Sequence, residues 1–358
     1  MIREVIICDD SSFARKQMAR ALPDEISNTI EFAKHGAEAL ELMNSGFGDI
    51  LFLDLNMPVM DGYETLDAVN RGDYDITIIV VSGDIQPEAR TRVQVLGAVD
   101  FIKKPIDQTS LTEVLVELGL IEATPITKQT KIHSATKSIK TPTKSIPRDI
   151  KPIDINSIKA SDLIDVYQEI TNIAMGQAAD LLARLLDVFV LLPVPKVNEL
   201  EKSELQMLLT DISHNQNVSV ICQGFIGFGI SGEALLIFND ASIDDIAALM
   251  QYQQEDDESV ELELLMDISN VLIGACLNGI ASQLDVKFSQ GHPVVLGQHV
   301  NISDLLKSSN RHNNWKKTLA AEINYAIEGR NINCDLLLLF SEDSLPNLAK
   351  RASFLMDT

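Results

Sequence analysis

The sequence predicts an α/β chain in two folded parts: a five-stranded parallel sheet with helices on both faces, then an α+β domain built on an internal duplication. Three observations carry this. Short apolar runs alternate with helical patterns over residues 1–122, a basic stretch rich in Thr, Ser, Lys and Pro follows, and one helix-and-strand phrase occurs twice beyond it. At roughly 100–200 residues per domain, 358 residues accommodate two or three domains.

In the first part, strands are expected at Val5–Cys8, Phe32–Ala33, Ile50–Asp54, Ile78–Ser82 and Val99–Ile102. Amphipathic patterns between them, such as Ala37–Met43 and Pro87–Leu96, and a last one over Ser110–Leu118, predict helices. Strands and helices in strict alternation give a parallel sheet covered on both faces.

Charge divides the chain further. Residues 1–122 carry 10 basic against 22 acidic side chains, residues 123–151 carry 7 against 1, and residues 152–358 carry 12 against 29. The middle stretch has no aromatic residue and no helical or strand period, so it buries too little apolar surface to offset the entropy of ordering. The expected division is therefore 1–122, a flexible basic linker over 123–158, and 159–358.

A net charge of -23 repels phosphate backbones and anionic membranes, so neither nucleic acid nor membrane is an expected partner. No apolar run approaches the ~20 residues needed to span a bilayer. The charged start Met1–Glu4 leads straight into a strand and does not read as a signal peptide. Cys8, Cys222, Cys276 and Cys334 lack paired spacing, which fits buried thiols in a reducing compartment. The expected location is cytoplasmic.

Ligands of open α/β sheets sit at the carboxyl ends of the strands. There, Cys8 is followed by Asp9 and Asp10, Leu53 by Asp54, Val81 by Ser82, and Lys103 by Lys104-Pro105. Three carboxylates at one edge call for a cation, and an all-oxygen donor set favours Mg²⁺. The hydroxyl and the ammonium beside them suit phosphoryl oxygens, and a carboxylate there can attack phosphorus.

The set Asp9-Asp10, LFLDLNMPVMDG, Ser82 and FIKKP resembles the two-component receiver, the CheY-like (βα)5 domain with a flavodoxin-like sheet. The resemblance covers about a third of the chain. It implies that Asp54 is the phosphoacceptor, with a sensor histidine kinase as phosphodonor. It also implies that Asp9 and Asp10 form the acidic pocket, with Asp10, Asp54 and the backbone carbonyl of Asn56 as Mg²⁺ ligands. Ser82 and Lys104 would bind phosphate, and Phe101 takes the place of the switch aromatic.

In the second part, Asp165, Glu169, Asn172 and Gly176 share one face of a predicted helix, beside an apolar stripe through Leu163, Val166, Ile170 and Ile173. Glu263, Asp267, Asn270 and Gly274 repeat that spacing 98 residues on. Each helix is followed by strands closing on a similar phrase, GEALLIF at 232–238 and CDLLLLF at 334–340. These offsets indicate an internal duplication, a pseudo-twofold domain with two matched helices. A mid-helix glycine costs about 1 kcal/mol against alanine. Placed twice, one turn beyond an Asn, it marks a surface cleared for close approach.

Asp-x3-Glu-x2-Asn-x3-Gly resembles the signature of the CheC/CheX/FliY phosphatases, and the two-helix arrangement is similar to CheC. The first copy matches fully; in the second, Glu263 and Asp267 depart from the pattern. The resemblance implies hydrolysis of an acyl phosphate on a receiver aspartate. Asn172 would orient water and Glu169 would pair with the target's phosphate-binding lysine, with Asp267 and Asn270 doing the same at a second site. The expected target is a CheY-type receiver in another protein, with the chain's own Asp54 as a cis variant. A phosphorylation-controlled adaptor, similar to flagellar switch components, and a phosphate sink are the alternatives.

Overall fold

The computed structural model describes residues 3–26, 29–72, 74–122, 159–212, 217–250, 258–302 and 317–357. The basic segment 123–158, expected to be a linker, lies outside the described residues.

The first sheet comprises β1 (Val5–Cys8), β2 (Ile30–Ala33), β3 (Ile50–Leu53), β4 (Thr77–Ser82) and β5 (Asp100–Lys103). The helices are α1 (Ser12–Ala21), α2 (Gly36–Asn44), α3 (Gly62–Arg71), α4 (Pro87–Val95) and α5 (Gln108–Glu117). All pairs are parallel, in the order β2-β1-β3-β4-β5. Every residue of β1 and β3 is buried, because helices cover both faces. Val5, Ile7, Ile50 and Phe52 belong to one core layer, and Ile6, Cys8, Leu51 and Leu53 to the other. Expected and observed strands agree closely. At β3 the ladder ends at the pair Cys8–Leu53, so Asp54 begins the loop instead of closing the strand. Local chemistry sets the helix starts: Ser11 caps α1, and Asp61 with Glu64 forms a capping box on α3.

The second part opens with α6 (Ala160–Leu186), β6 (Val190–Leu191), β7 (Lys196–Glu201), α7 (Lys202–Ile212), β8 (Asn217–Gly227) and β9 (Ile230–Asn239). It continues with α8 (Asp240–Leu249), α9 (Glu258–Gln283), β10 (Ser289–Gln290), β11 (Val294–Asn301), β12 (Lys317–Ile327), β13 (Asn333–Ser341) and α10 (Leu345–Asp357). Its strands form one eight-stranded sheet with the path β10-β8-β9-β13-β12-β6, β11 joining β8 and β7 joining β12. The phrases 232–238 and 334–340 pair antiparallel at the centre, and Leu235, the counterpart of Leu337, lies directly opposite it. Ala234, Leu236 and Phe238 face the layer holding α6 and α9, whereas Leu235 and Ile237 face the layer holding α7.

Contrary to the sequence expectation, one helix among the described residues, over Glu261–Gln283, is long and apolar enough by composition to cross a membrane. Its Leu264, Leu265, Ile268, Leu272, Ile273 and Leu277 are buried in the core shared with α6, so the apolar content is that of a core helix.

Candidate functional site

The carboxyl edge of the parallel sheet brings the predicted residues together. Asp9 and Asp10 follow β1, Asp54 follows β3, Ser82 ends β4 and Lys104 follows β5. Carboxylate oxygens of Asp9, Asp10 and Asp54 lie within 4.8 Å of one another. Lys104 Nζ donates to Asp9 Oδ2 at 2.7 Å and lies 3.4 Å from Asp54 Oδ1. Phe101 is buried beneath the Arg90 guanidinium, 4.7 Å from the ring centre.

The edge is closed by α6. Glu169 Oε1 lies 3.1 Å from Lys104 Nζ, and Asn56 Nδ2 donates to Asn172 Oδ1 at 3.4 Å. One turn earlier, Asp165 Oδ2 accepts from Ser12 Oγ at 2.5 Å and from Phe13 N at 2.9 Å, adding a second acceptor at the start of α1. Gln168 Nε2 donates to Asp10 Oδ2 at 3.5 Å. Beyond Asn172, backbone meets backbone: a Cβ on Gly176 would stand 2.1 Å from Gly83 O, and one on Gly83 would stand 3.0 Å from Ile173 Cα. The surface that the glycine clears is thus occupied by the loop after β4. Asp54, Lys104, Glu169 and Asn172 are 1%, 2%, 3% and 4% exposed, so the cluster is out of bulk water.

Four carboxylates and one ammonium share this interior. Burial raises the Asp54 carboxyl well above its usual range, with Lys104 opposing and Asp9 adding to the rise. Burial also lifts Glu169 to about 7 against the pull of Lys104, and lifts Asp10 to about 6, with Asp9 as the next contributor. For Lys104, burial works to lower the value, but the charges of Asp54, Asp9 and Glu169 outweigh it and hold the ammonium protonated. Both carboxylate oxygens of Asp54 are buried without a hydrogen-bond partner among the described residues. Such oxygens, in a negative all-oxygen cluster, fit a hard divalent cation, so the residues present suit Mg²⁺. A cavity of about 10 Å³ bordered by Asp54, Lys104, Asp9 and Glu169 has room for about one water.

The second predicted face lies apart. Glu263, Asp267 and Asn270 are exposed on α9, and a Cβ on Gly274 would meet only Gln290 Oε1, at 3.8 Å. Sequence reasoning put a receiver of another protein first as target for Glu169 and Asn172; in the structure the chain's own sheet edge meets them. It also missed Gln168, the Asn56 side chain and a second seam. There, Gln86 bonds to Val190, Arg92 pairs with Glu328, and the Arg92 guanidinium lies 3.9 Å over the Phe189 ring. No local pattern announces contacts between residues so far apart in sequence.

A parallel sheet whose carboxyl edge gathers acidic residues, a hydroxyl and a buried lysine defines a phosphate-handling signalling module. The family model described as response regulator receiver domain matches residues 5–116. The chemotaxis protein CheY of Treponema pallidum is 30% identical over 112 residues, covering 30% of this chain and 77% of that protein. Through this region the chain belongs to the response regulator receiver family, and phosphorylation controls proteins of this class. The protein-glutamate methylesterase/protein-glutamine glutaminase of Geobacillus kaustophilus is 36% identical over 111 residues, 30% of this chain. The chain spans about a third of that relative's length (32%), and the activity in its name is said of that protein. Among solved structures, FliY of Thermotoga maritima aligns over 56% of this chain and 99% of its own, with 18% identity and a TM-score of 0.42, a likeness too slight to carry an argument.

Proposed function

We propose that this response regulator carries its own aspartyl-phosphate phosphatase, with residues 159–358 acting on the phosphoryl group that Asp54 of the same chain accepts. The observation that carries the reading is the buried pairing of Glu169 with Lys104, which sets Asn172 beside Asn56 at the Asp54 pocket. A docking surface without hydrolysis needs no amide delivered into a buried acidic pocket.

In the forward step, an Asp54 oxygen attacks the phosphorus of a phosphohistidine on a sensor kinase. The P–N bond breaks and an acyl phosphate forms. Mg²⁺, held by Asp10, Asp54 and the Asn56 carbonyl, supplies positive charge for the phosphoryl oxygens when bound. Ser82 and Lys104 hold the remaining phosphoryl oxygens. In hydrolysis, water attacks phosphorus in line, the bond from phosphorus to the Asp54 oxygen breaks, and inorganic phosphate leaves with the water's oxygen. Asn172 gives up its contact with Asn56 and orients that water, its Oδ1 accepting one O–H and its Nδ2 donating to the oxygen. Glu169 fixes the helix by its charge-assisted contact with Lys104. The phosphoryl oxygens take the proton that the attacking water loses.

The exposed Asp267 and Asn270 on α9 support a second site, open to a CheY-type receiver of another protein. Loss of labelled phosphate from Asp54 in the full chain tests the reading. First-order decay at a rate independent of protein concentration, slowed by Asn172→Ala, is the expected result. Equal decay in wild type and variant would leave an adaptor or a phosphate sink.

A further inference from the structure

Gln86, the residue before α4, is fully buried, and its amide is not spent on capping its own helix. It crosses instead to the second part of the chain. Nε2 donates to the Val190 carbonyl at 2.8 Å, and Oε1 accepts from the Val190 N–H at 2.9 Å. Val190 belongs to β6, the last strand of the sheet path, paired on its other side with Ile327 of β12. A primary amide offers a donor and an acceptor side by side, so Gln86 serves as one residue of a neighbouring strand. Asp84 holds that amide in place: its Oδ1 accepts from Gln86 N and Nε2, both at 3.1 Å. The N–H of Asp84 in turn donates to Ser82 Oγ at 3.1 Å, so the seat is continuous with the edge that carries the phosphate-handling groups.

Towards the first part of the chain, α6 touches the acidic pocket through Glu169 and Asn172, the start of α1 through Asp165, and the loop after β4 through Gly176. Gln86 lies outside the pocket, and its amide reaches Val190 instead of the phosphate-handling groups. Replacing it with an apolar side chain strands the N–H and C=O of Val190 in a buried seam, which is costly to leave unmet.

We propose that Gln86 is a positioning residue: its amide seats β6 on the loop after β4 and thereby holds Asn172 and Glu169 over Asp54 of the same chain. The inference rests on the phosphatase reading above for its catalytic consequence, and on the Val190 hydrogen bonds for its structural one.

The test uses the full chain with Gln86→Leu, Asn172→Ala and the double variant. Amide exchange at Val190 reads the seat, with Val80 and Leu236 as fold controls, and loss of labelled Asp54 phosphate reads hydrolysis. The expected result for Gln86→Leu is at least tenfold faster exchange at Val190, unchanged control amides, and about tenfold slower phosphate loss. In the double variant phosphate loss should equal that of Asn172→Ala alone, because Gln86 acts only through the placement of α6, whose water-orienting group is Asn172. Additive losses, or Val190 exchange unchanged in Gln86→Leu, would overturn the proposal. Faster Val190 exchange in Gln86→Leu, with Asn172→Ala decaying like wild type, would retain the seat and overturn the phosphatase reading instead.

Discussion

The carboxylate of Glu169 stands 3.1 Å from the ammonium of Lys104, both of them buried, although one belongs to α6 and the other follows β5. Lys104 also bonds Asp9, so a single side chain joins the acidic pocket to the helix that closes it. The pairing makes the two parts of the chain chemically interdependent.

The matched asparagines should behave differently. Asn172→Ala should slow loss of Asp54 phosphate by about 10²-fold, the scale of losing a well-placed reactant. Asn270→Ala, on the exposed face of α9, should leave that rate unchanged. Decay of labelled phosphate in the two single variants checks this, and slowing by Asn270→Ala but not by Asn172→Ala would place the hydrolytic face on α9.

The matched glycines provide a steric version of the same comparison. A Cβ at Gly176 would lie 2.1 Å from a backbone oxygen, so Gly176→Ala should force α6 off the sheet edge. Gly274→Ala makes no more than an ordinary van der Waals contact with Gln290 and should stabilise α9 by up to about 1 kcal/mol. Small-angle scattering should show expansion in the first variant alone, and thermal unfolding a gain in the second alone.

Asp165 supports the start of α1 from across the boundary, through Ser12 and Phe13. Its removal should cost about 1 kcal/mol, the usual worth of a helix-terminus acceptor, because Ser11 still caps the helix locally. Amide exchange at Phe13 in Asp165→Ala should rise about fivefold; an unchanged rate would show that Ser11 alone supports the helix end.

The pH dependence of closure should include a contribution from Asp84. Burial raises its carboxyl to about 6, against hydrogen bonds from Gln86; Asp180 adds to the rise and Arg92 opposes it. A carboxyl whose folded value exceeds its unfolded one binds its proton more tightly when folded. Its stabilising protonation is therefore lost as pH rises from about 4 through about 6. The melting temperature of wild type, relative to Asp84→Asn, should fall across that window by the equivalent of at most about 3 kcal/mol. Parallel curves for the two proteins would remove Asp84 as the source.

Much of the first part was legible because its signals are local. The run Ile50–Leu53 is apolar on both faces, which only a covered parallel strand tolerates, and each polar residue that follows such a run falls at the sheet's carboxyl edge. The four-residue spacing on α6 was legible for the same reason, since positions three and four apart share a helix face. The repeated phrase at 232–238 and 334–340 suggested two related halves, but only the ladder shows Leu235 opposite Leu337 at the centre of one sheet.

By itself the sequence determined the alternation of strand and helix, the acidic edge with Asp9, Asp10, Asp54, Ser82 and Lys104, and the two polar helix faces. All of these depend on spacing within a few residues or on which residue follows a strand. The tertiary structure decided which face meets which surface: Glu169 and Asn172 are buried on the chain's own Asp54 pocket, whereas Asp267 and Asn270 are exposed. That choice depends on backbone fit at Gly83 and Gly176 and on the amide of Gln86 reaching Val190. Such contacts join residues far apart in the chain, and their worth comes from being removed from water together, a property that no window of sequence contains.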